Sequence, residues 1–137
     1  MTDVSITAAN VIRGANSKME HGQAGASITA GQVVYRDAAD GEYKLADSDS
    51  GTAAVRSPRG IALNNGADGQ PLTIHRSGLI TIGGTLTPGV AYYLSDTPGG
   101  IAPYADLATG DYPTFIGMAV STTVLNVSFN ESGVALS

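Results

Sequence analysis

Glycine-marked turns cut this chain into pieces too short for helices. Asp40-Gly41, Asn65-Gly66, Asp68-Gly69, Pro98-Gly99-Gly100 and Thr109-Gly110-Asp111 interrupt it repeatedly. No stretch of helical length keeps apolar residues at i, i+3, i+4 and i+7 without a Gly or Pro inside it. What remains between the turns alternates with a period of two. In Val124–Asn130, Leu125, Val127 and Phe129 alternate with Asn126, Ser128 and Asn130. That pattern predicts a half-buried strand. Leu72–Arg76, Leu79–Ile82, Gln32–Arg36, Ala91–Leu94 and Thr114–Val120 are further strand-type runs. Many short strands separated by turn residues predict an all-β chain, as a small compact barrel or sandwich.

An internal repeat sharpens this reading. Ile28-Thr29-Ala30-Gly31 through Tyr35 to Gly41 corresponds to Leu86-Thr87-Pro88-Gly89 through Tyr93 to Gly99. Gly60-Ile61-Ala62-Leu63 then matches Gly117-Met118-Ala119-Val120, and each half closes in Ser-Gly, at Ser77-Gly78 and Ser132-Gly133. Two related units follow, 27–83 and 84–137, within a single β domain spanning 27–137. Units of roughly 55 residues bury too little surface to stand alone, so the two are expected to share one core. Residues 1–26 lie outside the repeat and read as an extended, partner-binding N-terminal arm. Val4, Ile6, Val11, Ile12 and Arg13 are its candidate contact residues, with a weak helical turn expected near Ser17–His21.

Composition excludes several classes of function. Seven Lys and Arg stand against twelve Asp and Glu, a net charge of −5 with no basic run. Nucleic-acid binding therefore lacks its electrostatic footprint. The chain has no cysteine, so thiolate metal sites, disulfides and cysteine nucleophiles are out. No apolar run reaches the roughly 20 residues a membrane span needs, and the start of the chain has no basic leader region. His21 and His75 lack further ligands at metal-site spacing, so no metal and no cofactor is expected. Asp37–Glu42 has Asp residues but fails the calcium-loop pattern, because Ala39 and Gly41 occupy ligand positions. It reads as a hairpin tip, and with the tip at Thr97–Gly100 is expected to face solvent or a partner. No nucleophile elbow or phosphate loop is present, and the chain is read as non-enzymatic. Six tyrosines cluster in the hairpin blocks. Tyr35, Tyr92 and Tyr93 are candidates for an oligomer or partner interface, where Tyr is enriched. Charged residues are only 14% of the chain, against about 25% in an ordinary soluble domain.

The runs "TAGQVVYRDAADGEYKLADSD", "RGIALNNGADGQPLTIHRSGLITIG", "LTPGVAYYLSDTPGGIAP" and "GMAVSTTVLNVSFNESG" together resemble the small head-decoration (cement) proteins of tailed bacteriophages. The resemblance covers about residues 27–136. It implies a compact, β-tulip-like protein that binds the outer surface of the phage capsid. It further implies a homotrimer at three-fold and quasi-three-fold positions, clamping neighbouring subunits of the major capsid protein. Such a protein is made in the host cytoplasm and ends on the virion exterior, with no nucleic-acid or membrane partner. The implied capsid contact is the N-terminal arm, whose removal through residue 14 is expected to leave the β core folded. The alternative is a tail-fibre or head-fibre β module that binds a receptor or carbohydrate through its tyrosines.

Overall fold

The computed structural model describes residues 3–135. Residues 1, 2, 136 and 137, which belong to the expected arm and second unit, lie outside the described residues. Among the described residues ten strands occur: β1 (Ile12–Arg13), β2 (Lys18–Gln23), β3 (Val33–Arg36), β4 (Tyr43–Leu45), β5 (Gly60–Ala62), β6 (Pro71–Thr81), β7 (Ala91–Leu94), β8 (Ile101–Pro103), β9 (Thr114–Ala119) and β10 (Val124–Glu131). The described residues contain no α-helix, only 3₁₀ turns at Ala8–Asn10, Ala53–Arg56 and Tyr104–Asp106. The all-β expectation holds. The strands form one curled, antiparallel half-barrel sheet in the order β4-β3-β5-β6-β10-β9-β7-β8, with β1 and β2 added along β6.

Strand β6 organises the sheet. The sequence suggested two strands broken at Ser77-Gly78, but the chain runs straight through as one strand of 11 residues. Its first half pairs with β5 and β2, and its second half with β10 and β1. Gly78 sits between the halves with φ +94°, and the β2 register shifts there between Lys18 and Met19. A glycine in the left-handed region lets the strand bend and change partners.

Two apolar clusters result. The larger lies inside the curl and takes Val33 and Ile61 from β3 and β5, Ile80 from β6, and Tyr92, Leu94, Ile116 and Leu125 from β7, β9 and β10. The smaller holds Val34, Tyr43, Ala62, Leu72 and Ile74, and is covered by Ala24 from the N-terminal lead-in and by Ile28 just after it. Adjacent residues Val33 and Val34 therefore feed different clusters, so β3 is apolar on both sides. The sheet thereby buries more than the alternation of any one strand suggests.

Residues 3–26 are not a detached arm. The Val4 N–H donates to Ile101 O at 2.8 Å, Thr7 N–H to Gly83 O at 2.8 Å, and Gly14 N–H to Leu79 O at 2.6 Å. Val11 is buried, and Val4 and Ile6 pack on the larger cluster. Where a helical turn was expected at Ser17–His21 the chain forms β2, because β6 offers it an unpaired edge. The helical turn falls at Ala8–Asn10 instead.

Candidate functional site

Polar contacts tie the N-terminal lead-in to the sheet. Glu20 on β2 accepts two hydrogen bonds from the Arg59 guanidinium, Nη2 to Oε1 at 2.7 Å and Nε to Oε2 at 3.0 Å. The Tyr43 hydroxyl donates to the same carboxylate, and Arg76 lies 3.7 Å from it. The Arg59 fork holds the Glu20 carboxyl down to about 2, against the opposing effect of burial. Burial, and then Glu20, push the Tyr43 phenol up to about 12. One carboxylate thus ties β2, β4 and the entry to β5 together. A carboxyl lowered by folding contributes stability that is present above its unfolded value and lost as pH falls toward its folded value. The stability gap between wild type and Glu20→Gln is therefore expected to be widest near neutral pH and to close between pH 4.5 and about 2. Urea titrations across that range measure it, and a gap independent of pH removes the ion pair as its cause.

By alternation with Leu72 and Ile74, His75 reads as part of the polar face of its strand, yet it is completely buried. Its Nε2 lies 2.9 Å from Gly78 O and its Nδ1 2.9 Å from Ser17 Oγ. The carbonyl can only accept, so Nε2 carries the proton and the Ser17 hydroxyl donates to Nδ1. Burial lowers its pKa, which keeps the ring neutral. This is a structural histidine that holds the bend in β6. His21 is bonded through Nδ1 to Thr73 Oγ1 at 3.0 Å. Among the described residues neither joins a cluster of metal-ligating side chains.

The hairpin tips divide. At Asp37–Gly41, Asp37 and Asp40 each bond a backbone N–H two residues on, and both pair with Lys44. That is turn chemistry on an exposed tip. At Thr97–Gly100, Gly99 is folded inward. Its N–H donates to Ala46 O at 2.7 Å and its C=O accepts from Val33 N–H at 2.9 Å. This tip is tied to β3 and to the segment after β4, and is not free at Gly99.

The candidate interface residues separate in the same way. Tyr92 points into the larger cluster, with 4% of its surface exposed, and its hydroxyl accepts from Thr87 N–H. Tyr35 is half-buried against that cluster. Tyr93 faces outward. Its ring packs edge-on against Tyr104 and Phe115, with centroids 5.2 Å and 5.7 Å apart. A register shift between Tyr92 and Tyr93 brings Tyr93 opposite Phe115 and Ala91 opposite Met118 on the outer face. Tyr104 is 52% exposed and Met118 46% exposed. The result is an uncharged, aromatic face on β7 and β9. Of the arm candidates, Val4, Ile6 and Val11 are committed to the protein's own core. Ile12 and Arg13 are exposed on β1, at the margin of β6.

No model of a known protein family and no curated protein matches this chain.

Sequence reasoning named Tyr93 but missed Tyr104, Phe115 and Met118 as its companions. Simple alternation from Thr114 puts Ile116 and Met118 on one face. The irregular pairing with β7 leaves Ile116 inside and Met118 outside. Tyr104 follows β8 on a 3₁₀ turn, where no strand period applies.

Proposed function

We propose that this chain is a structural, non-enzymatic virion protein that decorates the outer surface of a tailed-phage capsid. It clamps neighbouring subunits of the major capsid protein and sits as a homotrimer at three-fold and quasi-three-fold positions. The observation that carries this reading is the uncharged outer face of Tyr93, Tyr104, Phe115 and Met118. Aromatic rings and Met are the residue types that fill the centres of protein interfaces. The sequence resemblance to head-decoration proteins points the same way. The contact proposed for the N-terminal segment narrows to Ile12 and Arg13, which can offer backbone groups by strand addition.

The two-unit, tulip-like plan belongs to this proposal, and three observations support it. Outward from the β6–β10 junction the sheet runs β5, β3, β4 on one side and β9, β7, β8 on the other. The registers correspond: Val34↔Gly60 and Tyr35↔Lys44 match Tyr92↔Gly117 and Tyr93↔Ala102. The lead-in serves each half alike, with Gly25 N–H on Tyr43 O and Val4 N–H on Ile101 O.

The test is co-sedimentation of the purified chain with DNA-free capsid shells of the phage that encodes it. Saturable binding with copy number tracking the capsid lattice is expected, reduced at least tenfold in affinity by Met118→Asp. Absence of binding, or a copy number near that of the fibres, overturns the reading. The exposed Tyr104 ring also suits a receptor- or carbohydrate-binding fibre module. Glycan binding lost on Tyr104→Ala, in a chain that ignores capsids, selects that alternative.

A further inference from the structure

Six of the twelve acidic residues gather at one end of the molecule. Carboxylate oxygens of Asp49, Asp96 and Asp111 all lie within 4.8 Å of one another. Asp96 also lines a cavity of about 470 Å³ with Asp3 and Asp106. These groups come from separate loops. The Ser48 N–H donates to Ser95 O at 3.2 Å and its C=O accepts from Tyr112 N–H at 2.9 Å. Those bonds bring Asp47 and Asp49 beside Asp96 and Asp111. Like charges at such spacing repel, and clustering by itself does not make a site.

The second observation is independent of the clustering. Three buried side-chain oxygens lack a hydrogen-bond partner among the described residues, and all three belong to this end. One is the Ser48 hydroxyl, on a completely buried residue between Asp47 and Asp49. The other two are both oxygens of Asp106, in the wall of the acidic cavity. Buried oxygens are almost always paired, and a carboxylate with no donor is neutralised either by a proton or by a cation.

We infer that the Asp49–Asp96–Asp111 cluster, with Asp106 in the adjoining cavity, is a binding site for a hard divalent cation of the calcium type. Oxygens sharing one calcium at about 2.4 Å lie at most about 5 Å apart, which the cluster already satisfies. Magnesium prefers to keep its water and needs a stricter octahedron, whereas calcium accepts many carboxylate and hydroxyl oxygens from mobile loops. The bound ion would join the 46–50 loop, the Thr97–Gly100 hairpin and the Asp111 turn. It would thereby brace the contact between the two halves. The inference does not rest on the capsid reading.

The experiment uses the full chain with calcium alone, and terbium as a luminescent substitute excited through tyrosine. Tyr112 adjoins Asp111 and serves as the antenna. Calcium is expected to raise the Tm, with half-saturation on the order of 10⁻⁴–10⁻³ M, and to displace terbium. Asp96→Asn is expected to weaken both responses at least tenfold, and Asp40→Asn, which sits on the Lys44 tip, to change neither. In EDTA, Asp96→Asn is expected to melt higher than wild type, since it removes repulsion; in calcium the order reverses. Asp49→Asn, at another exposed position, repeats the test if Asp96→Asn folds poorly. A Tm indifferent to calcium at about ten times that dissociation constant overturns the site. So does equal terbium binding by wild type and both cluster variants, which is the behaviour of a diffuse acidic surface.

Discussion

A chain lacking its residues through position 14 is expected to lose most of its stability. Its Tm should fall by about 20 °C, corresponding to about 5 kcal/mol. The truncation removes Val11 from the larger core and strips the Val4 and Ile6 packing from it. It also deletes the donors to Ile101 O, Gly83 O and Leu79 O. Fully burying one Val or Ile is worth about 1.5–3 kcal/mol, and a domain of this size has about 5–15 kcal/mol in all. The proposed capsid binding would vanish too, but through unfolding, so binding loss alone cannot identify a docking arm. Point variants separate the causes. Val11→Asp should mimic the truncation in thermal melts, while Ile12→Asp, at a position 60% exposed, should leave the Tm nearly unchanged. A truncated chain that melts with the wild type restores the detached arm.

Gly78→Ala is expected to cost about 3 kcal/mol, read as a lower urea midpoint at unchanged slope. Two costs add there. Its φ of +94° disfavours any side chain, and an added Cβ would lie 2.2 Å from Asn16 O and 2.6 Å from Asn16 C. Both neighbours are backbone, so relief requires moving the lead-in away from β6 and disturbing the Ser17–His75 bond. Gly69→Ala isolates the first cost, since φ there is +85° with nothing within 4 Å. It should lose only about 1 kcal/mol. Equal losses at the two positions would mean that the close approach to Asn16 contributes nothing.

Much of the strand inventory was legible because alternation survives wherever one face meets the core. Ala91–Leu94 and Val124–Asn130 fall within a residue of β7 and β10. The Asp37–Gly41 turn was legible because Asp side chains and a glycine at positive φ act locally. Failures came where long-range contacts override local pattern. His75 reads as polar surface, yet Ser17, 58 residues away in sequence, satisfies it in the interior. Tyr92 and Tyr93 are neighbours of one type; alternation puts their rings on opposite faces, and only the curl of the sheet decides which face is inside. The lead-in reads as an extended, partner-binding arm because its few apolar residues are too sparse to show a period.

By itself the sequence determined the strand character, the positions of the turns and the exclusion of cysteine chemistry. These follow from backbone preference and two-residue periodicity, which are properties of short segments. Only the tertiary structure decided that the lead-in belongs to the core, that Tyr93 joins Tyr104 and Phe115, and that the distant Asp49, Asp96 and Asp111 meet. Each of those depends on which loops the curled sheet brings together, and proximity between residues far apart in the chain leaves no trace in local pattern.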